Sequence, residues 1–269
     1  MTAETFAEPG ESRKGVRLYL LPHFRYSAAM RKVFIADAHL RNPDDENYRL
    51  LARFLSELHG TTETLFILGD LFEFWIGYRP AAFPHYLPIL EHLRKLSASG
   101  TGIVYFEGNH DFHMGTHFSE AVGATIFPGP AVLTLDGRKC FLCHGDEINS
   151  HDYGSRLLRL LLHNRATKAL FPLVPPPAVC RLAEHMSRRS KGNHGKRNAK
   201  WDYRQLLHEY AEARFRDDCD AVISAHFHLP LLSTRNRGKT RTLLSLGDWI
   251  TQYSYGELRE GNFFLHTYR

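Results

Sequence analysis

No stretch of this 269-residue chain approaches the roughly 20 apolar residues that a membrane-crossing helix needs. The N-terminus has no continuous apolar run followed by a small-residue cleavage site, so a secretory leader is not expected. Cysteine is scarce. Cys140, Cys143, Cys180 and Cys219 are too few for a dense disulfide framework, which favours a reducing compartment. Cys140 and Cys143 make one CxxC, with no second pair to complete a zinc ribbon. The run around them reads as a strand, which turns residues three apart to opposite faces, so both are expected as core thiols. Internal repeats and low-complexity segments are missing too. These absences predict a globular, cytoplasmic protein.

What is present fits that expectation. With 43% hydrophobic and 23% charged residues, the chain can bury a full core without needing a second domain. Seventeen histidines is a high count, and histidine is the commonest metal ligand. The net charge of +5 is unevenly spread. Residues 151–204 hold twelve Lys and Arg against three Asp and Glu, so the rest of the chain is net acidic.

Residues 1–29 are mixed in character and are expected to form a loose tail, with the domain spanning 30–269 and Met30 as a candidate start. Apolar runs at 32–36, 65–68 and 103–106 read as buried strands, separated by helical patterns at 43–60 and 84–98. This alternation predicts an α/β sheet with crossover helices. Segments 131–135 and 139–143 flank Asp136-Gly137 and read as a hairpin. A helix is expected over 202–215, and strands over 221–224, 231–234, 242–246 and 262–267. Between them, residues 151–204 carry short leucine-rich helical patterns broken by Pro175-Pro176-Pro177.

The stretch LFILGDLFEFW, 65–75, organises the rest. Gly69 stops an apolar strand and Asp70 follows at its end, where the chemistry of open α/β sheets collects. Four more clusters follow strand-like runs: Asp37 and His39, Asn109 with His110 and Asp111, His144-Gly145-Asp146, and His226 with His228. Each is weak alone. Five in this order supply the carboxylates, imidazoles and carbonyl oxygens of a site for two divalent cations, with Asp70 shared between them. Phe74, Trp75, Asp248 and Trp249 are expected to be structural, and Asp111 to support His110.

The motifs IADAHL (35–40), LGDLFEFW (68–75), GNHDF (108–112), HGD (144–146) and SLGDW (245–249), with the basic insert, resemble those of the calcineurin-like metallophosphoesterases. Within that superfamily the chain is similar to the UDP-2,3-diacylglucosamine pyrophosphatases of lipid A biosynthesis. The resemblance implies a four-layer αββα sandwich of two mixed sheets with a helical lid at about 151–204. It implies that Asp37, His39 and His228 hold one metal, that Asn109, His144 and His226 hold the other, and that Asp70 bridges, with Mn²⁺ favoured. It implies His110 as the catalytic donor; the best-known pyrophosphatases carry Arg there, and a branch carries His. Asn109, His110, Asp152, Arg188, Arg189, Ser190 and Lys191 would contact a lipid-linked UDP-sugar at the cytoplasmic face of the inner membrane. No nucleic-acid partner is expected. The alternatives are a metal-dependent phosphodiesterase acting on nucleotides or nucleic acid, and a non-catalytic scaffold.

Overall fold

The short strand β1, Leu18–Tyr19, is followed by β2, Arg31–Ile35. Then come α1, Glu46–Glu57; β3, Thr62–Ile67; and β4, Trp75–Ile76. A 3₁₀ turn at Pro84–Tyr86 leads into α2, Leu87–Ala98, and β5, Gly102–Phe106. Next are β6, Asp111–Phe112; α3, Gly115–Val122; and β7, Ala124–Phe127. The hairpin is β8, Ala131–Leu135, and β9, Arg138–Leu142. The chain ends with α4, Tyr203–Arg216; β10, Ala221–Ser224; β11, Leu231–Arg237; β12, Lys239–Ser245; β13, Ser254–Arg259; and β14, Asn262–Thr267. This computed structural model describes residues 18–19, 30–77, 83–153 and 201–269, with Leu160, Asn164, Thr167 and Val174 singly. The expected tail lies outside the described residues except for β1, which pairs parallel with β8. Most of the basic insert lies outside them as well.

Two six-stranded mixed sheets result. One runs β14-β13-β2-β3-β5-β7 and the other β1-β8-β9-β10-β12-β11. In the first, β2, β3, β5 and β7 are parallel, and β13 joins antiparallel to β2. In the second, β9, β10 and β12 are parallel.

Three apolar clusters define four layers. Phe34, Phe66, Val104 and Phe106 face Leu133, Leu142, Ile223 and Leu244 across the gap between the sheets. The alternate residues Val33, Ile35, Leu65, Ile67 and Ile103 face outward against Leu51, Phe54 and Leu55 of α1 and Leu90 and Leu93 of α2. On the far side, Phe141, Val222 and Leu243 pack on Leu207, Ala211 and Phe215 of α4. The central strands are buried on both faces, which is why they read as continuous apolar runs. Cys140 and Cys143 are buried in different clusters, on opposite sides of the second sheet. The expected αββα sandwich of two mixed sheets is present.

Candidate metal centre

The polar clusters sit just past the carboxyl ends of β2, β3, β5, β9 and β10, and the sandwich brings those ends together. Within the first sheet, backbone bonds continue past the strands: Asp37 N–H donates to Gly69 O (3.1 Å) and His39 N–H to Asp70 O (2.9 Å). At this end of the sandwich, bonds also cross between the sheets. His226 N–H donates to Asp37 Oδ2 (2.9 Å), and His144 Nδ1–H donates to Leu68 O (2.7 Å).

Glycine is required where two loops meet. A Cβ on Gly108 would lie 2.2 Å from Asp70 Oδ1 and 2.6 Å from Asp70 N, and one on Gly69 would lie 2.7 Å from Gly108 Cα. Asp111 then fastens the two loops. Its Oδ1 accepts from Asp70 N–H (2.9 Å) and Gly108 N–H (3.1 Å), while Oδ2 accepts from Phe72 N–H (3.2 Å) and the Tyr105 hydroxyl. Asp111 was expected to support His110; the described contacts instead anchor the backbone on which both Asp70 and His110 stand. Burial, with Asp70 close by, pushes the Asp111 carboxyl up to about 7.

Five candidate ligands hold left-handed backbone: Asp37 (φ 53°), His39 (45°), Asp70 (53°), His226 (72°) and His228 (51°). Such conformations cost of order 1–3 kcal/mol per non-glycine residue and persist where surrounding contacts over-determine them. Here the hydrogen bonds named above hold Asp37, His39, Asp70 and His226, and Gln252 Nε2 donates to His228 O (2.9 Å).

The ligand atoms converge in three overlapping groups, each within 4.8 Å: Asp37, His39 and His228; His39, Asp70 and His110; and Asp70, His144 and His226. Asp70 belongs to two of them. Its Oδ2 lies 3.7 Å from His39 Nε2 and 3.5 Å from His144 Nε2. His228 Nε2 is 3.6 Å from Asp37 Oδ1. Asn109 Oδ1 is 3.0 Å from His144 Nε2, which is 3.2 Å from His226 Nδ1. The structure thus brings together all seven expected ligands. His110 stands beside them, its N–H donating to Asp70 Oδ1 (2.8 Å) and its Nδ1 on Glu73 O (2.9 Å).

This donor set fits divalent cations. Asp37 Oδ1 is buried with no hydrogen-bond partner among the described residues, and a buried carboxylate oxygen left unpaired is costly. Charge balance points the same way. Burial opposes a charged ring at His144, but Asp70 and Asp37 outweigh it and hold that imidazole well above its ordinary value. Burial also opposes charge on His228, yet Asp37 and Asp248 raise it to about 9. Burial, then repulsion from His144, pushes His226 down to about 3. The buried carboxylates therefore draw positive charge into the cluster, and ligands of this kind release protons when a cation binds.

Asp152 follows the HGD turn and is half-buried, with its N–H on Asn149 O (3.2 Å). Arg188, Arg189, Ser190 and Lys191 lie outside the described residues. Trp75 and Trp249 are core residues, as expected. Asp248, expected to be structural, also reaches the site: its Oδ2 lies 3.2 Å from His228 Nδ1. The signal was available, since Leu246-Gly247-Asp248 repeats Leu68-Gly69-Asp70. Glu73 was also missed; its Oε2 is 3.7 Å from His39 Nδ1 and its Oε1 accepts from Arg41 (2.6 Å).

Residues 30–230 match the calcineurin-like phosphoesterase family. The chain belongs to that family. Among curated proteins it is 32% identical over 223 residues to the UDP-2,3-diacylglucosamine hydrolase of Neisseria meningitidis serogroup A, covering 82% of this chain and 90% of that protein. To the enzyme of the same name from Stenotrophomonas maltophilia strain K279a it is 32% identical over 245 residues, covering 88% and 98%. To that from Haemophilus influenzae strain PittGG the identity is 30% over 226 residues, covering 82% and 91%. As a calcineurin-like phosphoesterase with candidate ligand groups at its strand ends, the chain is a metal-dependent hydrolase. Among the described residues, no helix is long and apolar enough to cross a membrane.

Proposed function

We propose that this chain hydrolyses the pyrophosphate bond of UDP-2,3-diacylglucosamine, giving UMP and 2,3-diacylglucosamine 1-phosphate. The observation that carries the reading is identity of 30–33% to hydrolases named for that substrate, over most of this chain and nearly all of theirs. The seven-ligand cluster supports the hydrolytic half of it.

In this reading Asp37, His39 and His228 hold one ion, Asn109, His144 and His226 hold the other, and Asp70 serves both. Mixed carboxylate and imidazole donors suit Mn, Fe or Zn, and Mn²⁺ is the ion we propose. Two such ions supply a nucleophile at neutral pH and neutralise charge on the phosphoryl oxygens. His110 has its Nδ1 proton committed to Glu73 O, so donation to the developing oxygen charge or the leaving group takes a second ring proton, carried at Nε2 by the imidazolium form and given up there.

The insert at 151–204 acts as a lid within one domain spanning 30–269. Its leucines take the acyl chains. Asp152, Arg188, Arg189, Ser190 and Lys191 meet the headgroup, and its excess of basic residues draws the protein to the anionic cytoplasmic face of the inner membrane. Residues 1–29 are dispensable, so a chain beginning at Met30 keeps activity.

The deciding experiment measures turnover of UDP-2,3-diacylglucosamine with added Mn²⁺ beside a small phosphodiester. Strong preference for the diacylated substrate is expected. Equal or better turnover of the small ester, or of nucleic acid, would sink the lipid reading. Replacing Leu157, Arg159 and Leu161 together by Ser should lower turnover of the diacylated substrate and vesicle binding while sparing the small ester. Equal loss on both substrates would make the insert part of the core instead.

A further inference from the structure

Asp248 uses its two carboxylate oxygens differently. Oδ1 accepts from the backbone N–H groups of Ile250 (2.9 Å), Thr251 (2.7 Å) and Gln252 (3.1 Å), which closes the turn after β12. Oδ2 faces the ring of His228, 3.2 Å from Nδ1. The Thr251 hydroxyl lies 3.3 and 3.4 Å from the two oxygens. The turn needs only Oδ1, so the second oxygen is left for the imidazole. The same loop grips the neighbouring ligands through their backbone. Gln252 Nε2 donates to His228 O (2.9 Å), and Trp249 N–H donates to Asp37 O (3.1 Å).

A ring whose Nδ1 carries the proton presents a lone pair at Nε2. His228 Nε2 is the nitrogen turned toward Asp37 Oδ1, the buried oxygen with no hydrogen-bond partner among the described residues. Carboxylates that accept from the far nitrogen of a ligating histidine fix its tautomer and orientation. We infer that Asp248 is a positioning residue: it holds His228 as the Nδ1–H tautomer, so that Nε2 is available to the ion shared by Asp37, His39 and His228. This rests on the metal reading proposed above.

Asp248→Asn is the informative variant. Three backbone N–H groups keep an oxygen at the Oδ1 position, so the amide NH₂ falls at Oδ2 and faces His228. A donor there forces the ring to the Nε2–H tautomer, which cannot ligate. Two readouts on the full chain test this. Calorimetric titration with Mn²⁺ should show one of two sites weakened by about 10–100-fold, the usual cost of losing such a partner, with the other unchanged. Nitrogen-15 NMR of the metal-free protein, at a pH high enough to leave the ring neutral, should show His228 protonated on Nδ1 in the wild type and on Nε2 in the variant.

A merely structural Asp248 would lower stability without selecting one site or moving a ring proton. Equal weakening of both sites, unchanged affinity, or a wild-type ring protonated on Nε2 would each overturn the inference. The wild-type ring measurement needs neither metal nor variant, so it decides the question even where D248N does not fold. Failure of the wild type to bind two ions would overturn the metal reading instead, and the ring proton would still be read.

Discussion

His144 Nδ1 lies 2.7 Å from the carbonyl oxygen of Leu68, although the two residues follow strands of different sheets. A carbonyl can only accept, so Nδ1 must carry the proton, and Nε2 is left toward Asp70 Oδ2 and Asn109 Oδ1. His110 is fixed in the same way by Glu73 O. For these two rings the Nδ1 proton is thus set by backbone carbonyls, Leu68 just past β3 and Glu73 in the loop before β4.

Asp70 is where both proposed ion positions depend on one residue, because its Oδ2 lies 3.7 Å from His39 Nε2 and 3.5 Å from His144 Nε2, one ring from each proposed ligand set. D70A should lose both ions and hydrolysis together. Metal content by mass spectrometry and turnover check this. A variant that keeps near-normal turnover would show that the carboxylate is not shared.

His110 makes the opposite case. Its ring is held by Glu73 O, and its N–H, which survives truncation, holds Asp70 Oδ1. H110A should keep most metal binding and lower the rate by about 10²–10⁴, the usual range for a general acid or base. Loss of an ion in H110A would make His110 a ligand instead, which its place beside His39 and Asp70 also allows.

The site was legible because its residues follow strands buried on both faces, and such strands are short apolar runs closed by glycine or by the ligand itself. Leu65–Leu68 before Gly69-Asp70 is the clearest case. The strand β13 was not foreseen. It reads SYGELR, and its buried Glu257 pairs with Arg31 at 2.8 Å, so no apolar run marks it. The outer part of the β11–β12 hairpin was underestimated for a related reason: Arg235, Asn236 and Lys239 are exposed and look like loop. The left-handed backbone of Asp37, His39, Asp70, His226 and His228 leaves no compositional trace, since glycine is the usual sign of it.

Gly108 gives a steric test of the site. In G108A the new methyl group would meet the Asp70 backbone N at 2.6 Å, and backbone atoms cannot rotate away. Overpacking of this kind costs about 1–3 kcal/mol. G108A should therefore lower Tm and weaken Mn²⁺ binding more than its stability loss alone explains. Gly129 has no described atom within 4 Å of its added Cβ, so G129A should change neither quantity. If G108A binds metal normally, the approach of the two loops is not what places Asp70.

Lys32 tests the opposite end of the sandwich. It lies near the start of β2, away from the site, with Nζ 2.9 Å from Glu63 Oε2 and 2.6 Å from Asp136 Oδ1 in the turn of the other sheet. Burial alone would lower this ammonium, but the hydrogen bonds to Asp136 and Glu63 outweigh it and hold it above its ordinary value of 10.5. A folded value above the unfolded one means that the charge stabilises the fold fully below 10.5, and that this contribution is lost as pH rises through the folded value. K32M leaves Glu63 buried without its cation, and breaking a buried pair in this way costs about 3–5 kcal/mol. Denaturation at neutral pH should show that loss, while kcat and the two Mn²⁺ affinities stay at wild-type values. The gap between the two proteins should hold steady up to about pH 10 and narrow above it as the wild-type ammonium titrates. A gap that stays constant well into alkaline pH would mean that Lys32 contributes through its methylene packing and not through its charge.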